Sequence, residues 1–224
     1  MDRVAAEVRK AVLSGALQPG RKFSIAELSA QLGVSHIPVR EALSRLEAQG
    51  LIVLRPGRSA MVSPLDRDEL RAIFRLRQQL EPDLAARSCA FLTDADFERA
   101  ERLLHDYIDG SDDPDHRWTL HRDLHLVYLQ PAATEWDIRI LVQLWDASDR
   151  YTRIVFDPYG AGAEDSHKRE MAHRGLFAAA RSGSPAEMRR AVHEHLTDNE
   201  AACLSGITWS APGTQGVNVL EDSV

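Results

Sequence analysis

Residues 23–65, "FSIAELSAQLGVSHIPVREALSRLEAQGLIVLRPGRSAMVSPL", constrain this chain more than any other stretch. Ser24 and Glu27 have the spacing of a capping box, in which a hydroxyl accepts from the third amide while a carboxylate returns to the cap amide. The box predicts a short helix running through Leu32, and Gly33 ends it, since the left-handed residue after a helix favours glycine. Ser35 is placed to cap a second helix with Pro38 in its first turn, where a missing amide hydrogen is tolerated. Val39, Leu43 and Leu46 form the inward stripe of that helix, leaving His36, Arg40 and Ser44 on other faces. After Gly50, two short strands flank "RPGRS", a hairpin with arginines at its tip. Upstream, Val4, Ala5, Val8, Ala11 and Val12 mark an amphipathic helix that stops in "SGALQPG". Helix, glycine turn, helix and basic hairpin make a winged helix-turn-helix.

Charge supports a nucleic-acid role for this segment. Residues 1–65 hold nine Lys/Arg against five Asp/Glu, whereas the remaining 159 residues hold 18 against 29. A basic module joined to an acidic one assigns any polyanion to the first part. A helix N-terminus offers amides to phosphate, and arginine forks onto phosphate or a guanine edge. Arg40 and Arg45 on the second helix and Arg58 at the hairpin tip are the candidate DNA contacts.

The remainder reads as helical from 66 to about 206, with spans near 66–91, 94–109, 115–130, 134–156, 164–182 and 185–205. Thr93, Thr134 and the "SPAE" box from Ser184 mark starts, and an antiparallel all-α bundle of six or seven helices is the expected architecture. Residues 207–224, rich in glycine and small polar residues, are expected as a loose tail that Trp209 could dock. The chain is 44% apolar, enough for a core, and its two cysteines form no framework, which fits a reducing cytoplasmic setting. No apolar run reaches membrane-spanning length, and the charged N-terminus is unlike a signal peptide.

Within the bundle, "HRDLH" places His121 and His125 one helical turn apart. They share a face with Leu124, Tyr128 and Leu129. His173 lies on a stripe with Leu176, Phe177 and Ala180, and His195 with Val192, Leu196, Asn199 and Cys203. All four therefore point inward. A buried imidazole needs a partner at each nitrogen, so these are either hydrogen-bonded core residues or ligands of one metal ion. Neutral imidazole suits zinc, nickel and other borderline transition metals. The segment lacks the glutamate of HExxH, and no nucleophile elbow or phosphate-cradling loop occurs, which argues against a hydrolase.

The run "GVS-x-x-PVREAL-x-RLEAQGL" and its surroundings from 4 to 64 resemble the DNA-binding domain of the GntR family of bacterial transcription regulators. "LRQQLEPDLAA", "HRDLH", "MAHRGLFAAARSG" and "AEMRRAVHEHL" resemble the FadR-type effector domain, called FCD, that commonly follows it. The resemblance implies operator contacts at Ser35 and Arg40 and a wing around Gly57 and Arg58 in the minor groove. It also implies a metal held by His125, His173 and His195, with His121 where the family has an acidic or amide ligand. His36 replaces a usual arginine and Ser59 a usual wing glycine. Arg77 matches an arginine that faces the effector cavity, with Glu81 as an alternative internal partner, and Arg150 and Tyr151 are further candidate effector contacts. The function implied is a ligand-responsive regulator, foremost a repressor. As a homodimer it would bind palindromic double-stranded operator DNA and release it on binding a small carboxylate or sugar acid at a divalent metal, zinc foremost. A metal-sensing regulator is the alternative, and a metal-dependent hydrolase a distant one.

Overall fold

The computed structural model describes residues 2–55, 59–109, 113–156 and 163–209. Asp2–Leu13 forms α1, Ile25–Leu32 α2 and His36–Ala48 α3. Both bonds of the Ser24/Glu27 capping box are present, at 3.0 Å to the Glu27 amide and 2.7 Å back from the Ser24 amide. Gly33 closes α2 at φ 65°, where a Cβ would be strained. Ser35 occupies the N-cap of α3 in extended backbone, but its hydroxyl makes no capping bond, which departs from the expectation. That leaves the hydroxyl exposed at the head of the helix.

The sheet has three strands rather than the expected two. Lys22–Ser24 (β1), Ile52–Arg55 (β2) and Ser59–Val62 (β3) are antiparallel in the order β1-β3-β2, with Phe23 opposite Ala60 and Leu54 opposite Ala60 on its other side. A three-residue strand leading straight into a helix cap is too short to show alternation. Gly57 and Arg58, at the expected wing tip, lie outside the described residues. Val8, Val39, Ala42, Leu43, Leu46, Leu51, Ile52, Ala60 and Val62 are buried together as the core of this first unit.

Asp66 caps the first helix of the second unit by accepting from the Glu69 amide at 2.7 Å. Among the described residues, six α-helices follow: α4 (Arg67–Ser88), α5 (Asp94–Asp109), α6 (Pro114–Leu129), α7 (Glu135–Val155), α8 (Ala163–Arg181) and α9 (Pro185–Gly206). Their order and lengths match the expected spans within a few residues. Thr134 with Asp137, and Ser184 with the Glu187 amide, supply the expected caps. A second, separate core runs from Leu70 to Ile207, built on Phe74, Leu84, Leu124, Leu141, Leu176 and Leu196. No described helix is long and apolar enough to cross a membrane.

The start of the expected tail is docked through Trp209. Ile207 is buried, and the Trp209 indole donates to the Leu204 carbonyl at 3.0 Å beside Tyr151 and under the Arg67 guanidinium. Residues 210–224 lie outside the described residues.

Candidate functional sites

On α3 the inward stripe is complete, with Val39, Ala42, Leu43 and Leu46 at 0–1% exposure. The outer face carries His36, Arg40 and Ser44 at successive i+4 steps, with Arg45 further round, all exposed. Ser35 and His36 thus stand at the exposed head of α3, with Arg40 one turn on and Arg45 in its last turn.

In the bundle, α6, α8 and α9 bring four imidazoles together. One nitrogen from each of His121, His125, His173 and His195 lies within 4.8 Å of the others, and the Nε2 atoms of His121 and His125 are 3.2 Å apart. His173 Nδ1 sits 2.7 Å from the Arg169 carbonyl, which can only accept, so the proton is on Nδ1 and Nε2 carries a bare lone pair. That Nε2 is buried, with no hydrogen-bond partner. Orientation of a ligand histidine by a backbone carbonyl is the usual outer-shell arrangement at metal centres. His195 Nε2 faces the Asn199 amide at 3.1 Å, and Tyr107, Trp118 and Trp145 fence the cluster.

All four histidines are held neutral. Burial comes first as the cause of the depressed pKa values of His121, His125 and His195, aided by neighbouring imidazoles and the Arg77 charge. Burial also brings His173 down to about 4, against the opposing pull of the Arg169 carbonyl. A tetrahedral zinc shell at ~2.1 Å needs donor separations of roughly 3.4 Å, so the closest pair already fits and the widest must draw in by no more than about 1.4 Å. The orphaned Nε2, the neutral rings and this spacing fit a transition-metal ion.

A cavity of about 70 Å³ opens over the cluster, space for on the order of five waters. Among the described residues, Arg77, Arg122 and Arg169 line it together with one carboxylate, Asp149. Arg77 is engaged within the protein: its Nε is 2.6 Å from Glu81, its Nη1 donates to Ser148 at 3.1 Å, and Glu81 also accepts from the Trp145 indole at 2.9 Å. The internal partner raised for Arg77 is therefore present, while its guanidinium still borders the cavity.

Arg150 and Tyr151 do not line the cavity, which corrects their expected effector role. Arg150 donates to the Pro64 carbonyl at 2.8 Å and pairs with Glu69. The Tyr151 hydroxyl donates to Glu69 at 2.6 Å and contacts the Asp66 backbone. Both point back to the segment joining the two units. The residue that sequence reasoning passed over is Arg122, inside "HRDLH" itself. Its Nη2 is 2.8 Å from both Asp146 Oδ1 and Asp149 Oδ2 on α7. The i, i+3 spacing of those aspartates was a signal, but their partners are distant in sequence.

A helix-turn-helix unit with Arg40 and Arg45 exposed on its second helix, joined to an α-bundle with a histidine-lined cavity, has the architecture of a DNA-binding protein with a second, helical unit. The family follows from direct comparison. Residues 1–62 match the bacterial regulatory proteins of the gntR family and residues 72–198 match the FCD domain, so the chain belongs to the GntR family of transcriptional regulators that carry an FCD domain. Among relatives, it is 26% identical over 195 residues to the HTH-type transcriptional repressor RspR of Escherichia coli K12, covering 85% of this chain and 83% of that protein. It is 36% identical over 90 residues to the E. coli regulator McbR, covering 40% and 41%. Its fold superposes on E. coli McbR/YncC with a TM-score of 0.71 at 22% identity, covering 91% of this chain and 96% of that one. A putative GntR regulator from Rhodococcus sp. RHA1 gives 0.70 at 18%, covering 92% and 98%. Members of this family bind DNA to regulate transcription and are not enzymes.

Proposed function

We propose that this chain is a dimeric repressor that leaves palindromic operator DNA when a small carboxylate or sugar acid enters the pocket built by His121, His125, His173 and His195. Residues 1–65 read the operator through Ser35, His36, Arg40 and Arg45, with Gly57 and Arg58 in the wing, and residues 66–206 sense the effector and dimerise. Two copies related by a two-fold axis would meet inverted half-sites. The repressor names carried by relatives support this sign of regulation.

One observation carries the reading: the partnerless, buried Nε2 of His173 faces three further neutral imidazoles. Zinc, or nickel, bound there would supply a Lewis-acidic corner that attracts a carboxylate. Around it, Arg77, Arg122 and Arg169 border the cavity with N–H donors for an anion, and Trp118, Trp145 and Phe156 supply apolar walls. The His173 ring is pre-set by the Arg169 carbonyl.

Native mass spectrometry of the full chain with its His125→Ala and His173→Ala variants tests the centre. The expected result is one metal per chain in the wild type and none in the variants; unchanged metal content in both variants would refute it. Operator release by members of an organic-acid panel supports effector sensing, whereas release by excess zinc alone marks a metal sensor.

A further inference from the structure

We infer that the pocket is coupled to the winged helix by competition between Arg122 and Arg9 for the same carboxylate oxygens of Asp146 and Asp149. Arg122 follows His121 on α6 and lines the cavity. Its Nη2 lies 2.8 Å from Asp146 Oδ1 and 2.8 Å from Asp149 Oδ2. Arg9, on α1 of the other unit, places its own Nη2 2.9 Å from that Asp146 oxygen and 3.5 Å from that Asp149 oxygen. Both aspartates are buried, at 8% and 5% exposure. Arg9 also reaches the Gln49 side chain at 3.3 Å, and Gln49 ends α3, the reading helix. The remaining charges nearby are Arg153, which is 3.8 Å from Asp149 and 2.6 Å from Asp115, and Lys10, 3.8 Å from Asp115.

Each oxygen can accept from both Nη2 atoms, but the two guanidinium charges that share it repel each other, so each is held less well than one alone. Arg122 has a second place to go, because its guanidinium borders the cavity. An anion held there draws Arg122 inward and leaves both oxygens to Arg9. The bundle then grips α1, and through Gln49 the end of α3, more tightly. This deepens the proposed function, naming the residues through which pocket occupancy reaches the operator-reading unit. A plain structural clamp makes the opposite prediction, since losing either cation would loosen the junction.

The sign of the Arg122→Gln variant therefore decides. Hydrogen exchange of residues 2–13 in the full-length protein is the readout, with Arg122→Gln standing in for a withdrawn arm. Exchange should slow about 3- to 10-fold, the effect of one partly buried pair. Arg9→Gln should speed exchange by a similar factor, and the Arg9→Gln/Arg122→Gln double variant should match Arg9→Gln alone. Arg122→Lys, which keeps the charge on a shorter arm, covers a folding failure of the glutamine variant and should slow exchange to a lesser degree. Unchanged or faster α1 exchange in Arg122→Gln, or in Arg122→Lys if only that folds, overturns the inference. Metal analysis of the same wild-type sample separates the two readings. Metal-free protein counts against the histidine centre, while the sign in Arg122→Gln still decides the competition.

Discussion

Taking the metal-free protein from about pH 7.5 to about pH 5 should remove about 2 kcal/mol of bundle stability through His173 alone. The ring sits at 3% exposure, and burial lowers its pKa from the ordinary 6.5 to about 4. The unfolded chain takes up its proton as the pH falls through 6.5, while the folded ring stays neutral until about 4. Stability is therefore full above the unfolded value, falls between the two, and is flat below the folded one. At 1.36 kcal/mol per pH unit, and with titration incomplete at pH 5, the loss comes to about 2 kcal/mol. His121, His125 and His195 are displaced in the same direction, so this is a floor against a domain stability of roughly 5–15 kcal/mol. Urea unfolding of chelator-treated protein measures it, followed by fluorescence of Trp118 and Trp145 beside the cluster. His173→Gln should be weaker at both pH values but lose about 2 kcal/mol less between them. An identical pH dependence in the variant and wild type would show that the ring is not desolvated, and the argument for a preformed set of neutral ligands would fail.

Arg77→Met should destabilise the bundle by about 3–5 kcal/mol in urea, because it strands the fully buried Glu81 carboxylate. The Arg77→Met/Glu81→Gln double variant should recover much of that loss. Tyr151→Phe removes the hydroxyl contacts with Glu69 and Asp66 and should lower stability by about 1 kcal/mol without changing metal content. Gly33→Ala places a Cβ at φ 65° and should cost about 1 kcal/mol in thermal unfolding of the winged unit.

Much of this arrangement was legible because its signals are local. Ser24 and Glu27 are three residues apart, Gly33 immediately follows its helix, and each inward histidine keeps apolar neighbours at helical spacing. The same period that located α6, α8 and α9 turned all four rings to the interior. What could not be read depends on pairing across the chain. Arg9 meets Asp146 over 137 positions, and Arg150 looks interchangeable with Arg153 until Pro64 and Glu69 are seen beside it. Likewise β1 exists only because β3 lies alongside it, and three residues alone carry no period. Ser35 shows the limit of a cap signal: the backbone takes the cap conformation while the hydroxyl stays unbound.

The segment joining the two units has little slack. The Ser63 amide donates to the Leu51 carbonyl, the Pro64 carbonyl receives Arg150, and Asp66 begins α4 under the Tyr151 hydroxyl. A tether pinned at each of these points acts as a stiff axle rather than a leash. On an operator bound by two such chains, the angular phase between half-sites would be set by the proteins, not accommodated by them. One added base pair turns a half-site by roughly 35° around the duplex. Spacer length should thus be read nearly as strictly as the bases.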